Sequence, residues 1–323
     1  MSVATDGAPA VITSPVPRPK RRKSRGGGHD NTSLTGHSRA APYVFSAPAI
    51  IIVSLLLAYP VLFGVYDSFF SAKYLGAPKH FVGIDNYKKL IDNPEFWDAL
   101  GKSAYFVFGC VVLQLVLGLL FAFALNRVAR SLRLLRSMVI APYIISNVAA
   151  AVMFRLLFNA DFGLLNRVLE FFGLPGQSWL ADPHAAMLVV IVCQVWTDLP
   201  LTILIMLAGL QSIDSSYTDA ALVDGAGPWQ RARYLSMPLI APQIAISTIW
   251  GSYSTLTGLG VVLALTGGGP LKATETLPMQ MYDVAFKALE FHDALAIATV
   301  ILVLNAVLTL LYVAVSRRFG EGE

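Results

Sequence analysis

The sequence predicts an all-α, polytopic membrane protein with six spanning helices, and three observations carry that prediction. Of 323 residues, 55% are hydrophobic and 14% charged, with a mean hydropathy of +0.62, whereas a soluble domain holds about a quarter charged residues. Several apolar runs reach the ~20 residues that cross a bilayer's hydrocarbon. The Lys and Arg residues are shared unevenly between the segments joining those runs. The expected spans are residues 43–70, bent at Pro60, then 104–125, 138–158, 186–210, 239–265 and 294–315.

Residues 1–40 read differently from the rest. Pro9, Pro15, Pro17 and Pro19 lead into Lys20-Arg21-Arg22-Lys23-Ser24-Arg25 and then Gly26-Gly27-Gly28. Such a segment cannot bury enough apolar surface to fold. It reads as a disordered basic tail touching anionic lipid, in preference to a nucleic-acid patch. The first apolar run is too long for the core of a secretory leader. The membrane domain is residues 41–320, with a long polar loop at 71–103 and a second polar segment at 211–238. Phe96 and Trp97 suggest a small interfacial helix in the first loop, and Gly267-Gly268-Gly269-Pro270 requires a sharp turn in the last. No strong internal repeat is visible.

Counting Lys and Arg places fifteen on the side of the tail and eight on the other, spread there over longer loops, with Arg155 in a span. The positive-inside rule then puts both termini and the 211–238 segment in the cytoplasm. Cys110 and Cys193 fall inside apolar runs and read as buried thiols. His29, His37, His80, His184 and His292 lie outside the expected spans. No cluster of acids, His or Cys at one depth suggests a membrane enzyme or a metal site, and no catalytic residue or metal ligand is assigned.

The segment from Ile213 to Pro238 reads as two short helices. Ser216-Tyr217-Thr218-Asp219 fits a capping box, Gly225 a left-handed C-terminal cap, and Pro228 the first turn of the next helix. Ala220, Ala221 and Ala226 are small enough for another backbone to approach. Polar residues inside spans face a cavity or another helix. Those residues are Tyr143, Ser146 and Asn147; Gln194, Trp196, Thr197 and Asp198; Trp250, Ser252, Tyr253, Thr255 and Thr257; and, more weakly, Asn305. Hydroxyls, amides and flat aromatic faces suit a neutral sugar. Each also has a plainer reading. Tyr143 and Trp250 can belong to a membrane-interface belt, Thr255 can bond back to its own helix, and Asp198 can satisfy backbone freed by Pro200. A phosphate-bearing solute needs a cation, and Arg155 alone supplies one within a span.

The run Asp219-Ala220-Ala221, then Gly225, then Leu235-Ser236-Met237-Pro238 resembles the EAA loop of ABC importer permeases, with Asp219 where that family has Glu. Phe81-Val82-Gly83-Ile84-Asp85-Asn86-Tyr87 with Phe96 to Leu100, and Leu265-Thr266-Gly267-Gly268-Gly269-Pro270 with Thr274 and Glu275, resemble the maltose, trehalose and glycerol-3-phosphate permeases of the first-subunit type. The resemblance covers most of residues 41–320, without the basic tail.

That resemblance implies an ABC-importer permease core in the bacterial plasma (inner) membrane. Its partners would be a second permease subunit, a cytoplasmic ABC ATPase dimer, an extracytoplasmic solute-binding protein, a sugar and membrane lipid, and no nucleic acid. It implies that Asp219, Ala220, Ala221, Asp224, Gly225, Ala226 and Pro238 couple to the ATPase. It also implies that Tyr143, Asn147, Gln194, Thr197, Asp198, Gly251, Thr255 and Gly258 line the sugar's path. The chain has no phosphate-cradling glycine loop of its own. It is expected to bind no cofactor, ATP and Mg residing on the ATPase, and not to be an enzyme. The expected substrate is a neutral di- or oligosaccharide of the trehalose or maltose type. Glycerol-3-phosphate or a related phosphodiester is the alternative within the class, and an ion-coupled secondary transporter the alternative outside it.

Overall fold

The computed structural model describes residues 41–72, 77–128 and 133–320. The expected basic tail, along with Lys73 and Arg130, lies outside the described residues. The chain divides after Ser54. Before that point, α1 (Ala41–Val53) is apolar throughout and carries Pro48 inside it. After it, a π-helical turn (Ser54–Ala58) leads into α2 (Tyr59–Asp67), where Pro60 sits in the first turn. Proline has no amide hydrogen to give, so the helix accommodates Pro60 by restarting with it near its N-terminus.

The described part of the long polar loop after α2 is more ordered than its polarity suggests. β1 (Phe70–Ser71) pairs antiparallel with β2 (His80–Phe81), with Phe70 opposite Phe81, and α3 (Asp85–Asp92) follows. Asn86 is 2% exposed and donates to the backbone oxygens of Ser68 (2.8 Å) and Phe70 (2.7 Å), closing the hairpin onto α3. Asp67 at the end of α2 accepts from Lys79 and lies 3.7 Å from His292 Nε2. The small helix expected at Phe96 and Trp97 is instead the first turn of α4 (Pro94–Val128), which continues unbroken for 35 residues. Pro94 starts it, and Phe96, 4% exposed, anchors it in the core.

The third expected span is not one helix. α5 (Arg133–Ile144) and α6 (Asn147–Leu157) meet at a 106° bend. α7 (Leu164–Phe171) then crosses to α8 (Pro183–Ser212). The 61% buried share of its apolar window makes α8 the central helix, against 28% for α4. α4 lies along α8, and Gly118 allows the closeness: a Cβ there would stand 2.6 Å from Thr202 Cγ2. The two apolar clusters along this seam join Phe106 and Cys110 of α4 to Val190 and Cys193 of α8, and Ala122 and Leu125 to Ile203 and Met206. Cys110 and Cys193 are buried free thiols, as the sequence suggests.

α9 (Ser215–Val223), α10 (Pro228–Gln230), a π-helical turn (Arg231–Ser236) and α11 (Met237–Leu239) make up the 211–238 segment. The fifth expected span divides into α12 (Ala241–Thr257) and α13 (Gly260–Leu265). α14 (Leu277–Tyr282), a π-helical turn (Asp283–Lys287) and α15 (Phe291–Gly320) complete the chain. Among the described residues, four helices are long and apolar enough to cross a membrane, or five if the bent α5–α6 pair counts as one span. The six-span expectation is therefore modified at the two breaks. His184 and His292, expected outside the spans, fall in the first turns of the span-length helices α8 and α15.

The loop between α13 and α14 turns sharply, as its glycines require. Gly267 and Gly268 have φ of 61° and 88°, and Leu271 and Lys272 also take positive φ. Lys272 lies 2.9 Å from Glu95 and 3.6 Å from Glu275. Glu95 holds the Lys272 ammonium above the usual lysine range, while burial pushes the Glu275 carboxyl up.

Candidate functional site: a buried polar seam and an exposed hairpin

Among the described residues, polar side chains gather where α4, α8 and α12 meet. Asp198 is 5% exposed, and its Oδ2 accepts from Gln194 Nε2 at 2.7 Å and from Ser254 Oγ at 2.9 Å. The first bond is an i, i+4 pair on α8, and the second crosses to α12. Both partners are side chains, so Asp198 is not simply filling in for backbone disturbed by Pro200. Gln114 of α4 lies beside the same carboxyl. Gly251 is buried directly beneath it; a Cβ there would meet Gln114 Oε1 at 2.5 Å. Thr197 is 2% exposed and donates to Gln194 O at 2.8 Å, back along its own helix. Thr255 is 1% exposed, with no hydrogen-bond partner for its hydroxyl among the described residues.

Of the eight path residues named from sequence, the structure gathers Gln194, Thr197, Asp198, Gly251 and Thr255 into this seam. Tyr143 and Asn147 are exposed and sit elsewhere, at the α5–α6 break. Gly258 joins the two groups. It ends α12, and a Cβ on it would stand 3.6 Å from Gln194 Oε1. Two residues on, a Cβ at Gly260 would stand 3.6 Å from Asn147 Cβ. The two helix breaks thus lie side by side, with α6 packed on α13. A discontinuous span exposes backbone groups that are tolerated at membrane depth only inside protein or beside a cavity.

Of the remaining candidates, Trp250 Nε1 is buried without a partner among the described residues, Ser252 Oγ lies 3.1 Å from the Tyr312 hydroxyl, and several bond along their own helices. Ser252 donates to Thr248 O, Thr257 to Tyr253 O and Asn305 to Ile301 O, each one turn back. Trp196 packs against Phe154. Sequence reasoning missed Gln114 and Ser254. A lone amide in the run Val111–Leu117 was a visible signal; a serine among α12's other hydroxyls was not.

The seam is polar enough to matter for stability. Leucine at Asp198 leaves the Gln194 amide and the Ser254 hydroxyl without an acceptor, at an expected cost of ~1–3 kcal/mol. Asparagine keeps a carbonyl oxygen for both and should cost far less. Thermal unfolding of the purified variants checks this, and equal Tm values for the two would contradict it.

The second feature is the hairpin between α8 and α12. The cap of α9 is Asp214, not Ser216 as the capping-box reading has it: Asp214 Oδ1 accepts from Ser216 N at 2.8 Å. A carboxylate is a stronger acceptor for the free amides of a first turn than the box two residues on. That bond holds the exposed Asp214 carboxyl below its ordinary range. Asp219, Ala220 and Ala221 therefore lie in the body of α9, and Asp219 is exposed. Gly225 takes φ +77°, with Gly225 N bonding Leu222 O and Ala226 N bonding Ala221 O. This is the expected left-handed cap. Pro228 opens α10, and Gln230 Oε1 accepts from Gly227 N at 2.8 Å. No residue of α9, α10 or α11 is buried, Asp224 and Pro238 included. Val223, Trp229 and Tyr234 are 88%, 77% and 77% exposed. The locally capped hairpin therefore leaves large apolar side chains exposed.

The described residues thus form an apolar helical bundle with a buried polar seam, two helix breaks beside each other and an uncovered hairpin. The chain belongs to the family described as binding-protein-dependent transport system inner membrane component, whose model matches residues 114–321. The trehalose/maltose transport system permease protein MalF of Thermococcus litoralis is 30% identical over 85% of this chain and 93% of its own. The sn-glycerol-3-phosphate transport system permease protein UgpA of Agrobacterium fabrum is 30% identical over 86% and 94%. A bacterial alginate ABC transporter, solved in complex with an alginate pentasaccharide-bound periplasmic protein, has a chain of the same fold (TM-score 0.74, 22% identity, covering 87% of this chain and 95% of that one). The chain is accordingly an ABC importer permease, a transport component of the inner membrane.

Proposed function

We propose that this subunit forms half of the path by which an ATP-driven importer takes up a neutral di- or oligosaccharide of the trehalose or maltose type. The observation that carries the reading is the chemistry of the α4–α8–α12 seam. It consists of two amides, hydroxyls and one carboxyl, with no Lys or Arg among its described residues. Such groups match a sugar's many hydroxyls; a phosphate ester calls for a cation. Arg155, on α6, is exposed and away from the seam. The similarity to a glycerol-3-phosphate permease keeps that substrate as the second reading, with a partner subunit supplying the charge.

In this reading a second permease completes the path, a solute-binding protein delivers the sugar from outside, and both termini are cytoplasmic. An ATPase dimer, which binds ATP and Mg in this chain's place, grips Asp219 to Ala226 and Pro238. Its closure rocks the permeases between inward-open and outward-open states. Broken spans also occur in ion-coupled transporters, so they do not separate the two classes. The uncovered hairpin favours the ATPase.

The test is the reconstituted complex with its binding protein, assayed for solute-dependent ATP hydrolysis and uptake. Stimulation by trehalose or maltose is the expected result. Stimulation by glycerol-3-phosphate alone would overturn the substrate reading, and uptake without any ATPase would overturn the class.

A further inference from the structure

Gln114 is the least explained polar side chain in the bundle. It is 1% exposed in the middle of α4, and neither its Oε1 nor its Nε2 makes a well-formed hydrogen bond among the described residues, the Asp198 carboxyl offering it only a weak contact. A buried primary amide left so poorly hydrogen-bonded is less favourable than an apolar side chain of similar shape. Packing alone therefore gives no reason for glutamine at this position. Its location does. The amide lies against Asp198 and directly over Gly251, where any Cβ would come within 2.5 Å of Oε1. Gly251 thus leaves room for the amide. Around it, Gln194 Oε1 and Thr255 Oγ1 are also buried and without partners. Three helices bring together more hydrogen-bonding capacity than they use among themselves.

We propose that Gln114 is a specificity-determining residue of the transport path: its amide holds the place of a sugar's hydroxyl groups between α8 and α12, and yields that place to them. The inference rests on the sugar-path reading of the same seam. One amide offers an acceptor and two donor hydrogens side by side. A pair of neighbouring sugar hydroxyls presents the same mixture, and would meet the Asp198 carboxyl that Gln114 now lies beside.

The experiment uses the intact importer complex in lipid vesicles, with trehalose or maltose as the probe, comparing wild type with Gln114→Leu. Leucine keeps an apolar branched side chain of comparable bulk and removes the orphaned amide. The expected result is an unchanged or higher Tm together with a loss of sugar-dependent uptake of about tenfold or more. Stability and transport would then move apart, which a merely structural glutamine does not produce. Uptake within about twofold of wild type, at unchanged Tm, overturns the proposal. If Gln114→Leu does not assemble, Gln114→Asn retains the amide but draws it back by one methylene. A changed ranking of trehalose against maltose supports the proposal, and an unchanged ranking overturns it. Should wild type itself transport neither sugar, the underlying sugar reading fails. That outcome is distinct, because it appears before any substitution is made.

Discussion

Replacing Gly225 by valine is expected to abolish ATP-driven uptake while leaving the membrane helices folded. Gly225 holds φ +77° at the end of α9, where the Gly225 and Ala226 amides close onto Leu222 O and Ala221 O. A β-branched residue in that left-handed region costs ~1–3 kcal/mol. The simplest relief is to lose the cap and turn the chain differently before Pro228. Nothing lies within 4 Å of a Cβ added at Gly225, so no clash reaches the bundle. The spans keep their packing because no residue of α9 is buried in it. Only the shape of the exposed hairpin changes, and with it the surface formed by Asp219, Ala220, Ala221 and Val223. If that surface transmits the work of the proposed ATPase, both co-purification of the ATPase and uptake fall, by an expected factor of about ten or more, with Tm nearly unchanged. Alanine at the same position is the milder comparison: it has the same φ problem with less bulk, so it should retain part of the coupling. A valine variant that transports normally would remove the hairpin from the mechanism.

The parts of the molecule legible in the sequence are those written in local chemistry. Apolar runs of sufficient length set α4, α8 and α15, because span length is a one-dimensional property. Gly225 and Pro228 announced a cap and a restart because each residue's backbone preference is its own. Asp198 and Gln194 stood out as polar groups in an apolar run. The breaks did not stand out. Residues 138–158 and 239–265 are apolar enough to read as continuous, and the 106° turn before Asn147 comes with the packing of α6 on α13. That contact joins residues more than a hundred positions apart. Gly258 and Gly260 were available as breakers, but a glycine in a span is as often a packing site as a break. The seam's membership was only half readable for the same reason: Gln114 and Ser254 acquire their meaning from the Asp198 carboxyl they meet across helices.

Asn166 is the clearest case of a residue whose role is invisible until the chain has folded, and its replacement by alanine should give the largest local loss of stability. The side chain lies on α7, 3% exposed, and all of its hydrogen-bonding groups are used. Nδ2 donates to Ala160 O and Gln177 O, both at 2.9 Å. Oδ1 accepts from Gln177 N at 3.1 Å and from Trp179 Nε1 at 2.7 Å. One amide therefore fixes the entry to α7, its exit, and the tryptophan that packs on Phe158 at the end of α6. Alanine removes four bonds and strands the half-buried partners, an expected ~2–4 kcal/mol. The loss should be local, seen as faster hydrogen exchange at the Gln177 amide by about tenfold or more and as a lowered Tm. Aspartate is the sharper control. It keeps both acceptor bonds, but turns a carboxylate oxygen toward the carbonyls of Ala160 and Gln177, where the amide had donated. If the network holds the loop as described, aspartate is no better than alanine despite being nearly the same shape. An aspartate variant with wild-type exchange at Gln177 would mean that the loop is held by its apolar contacts alone.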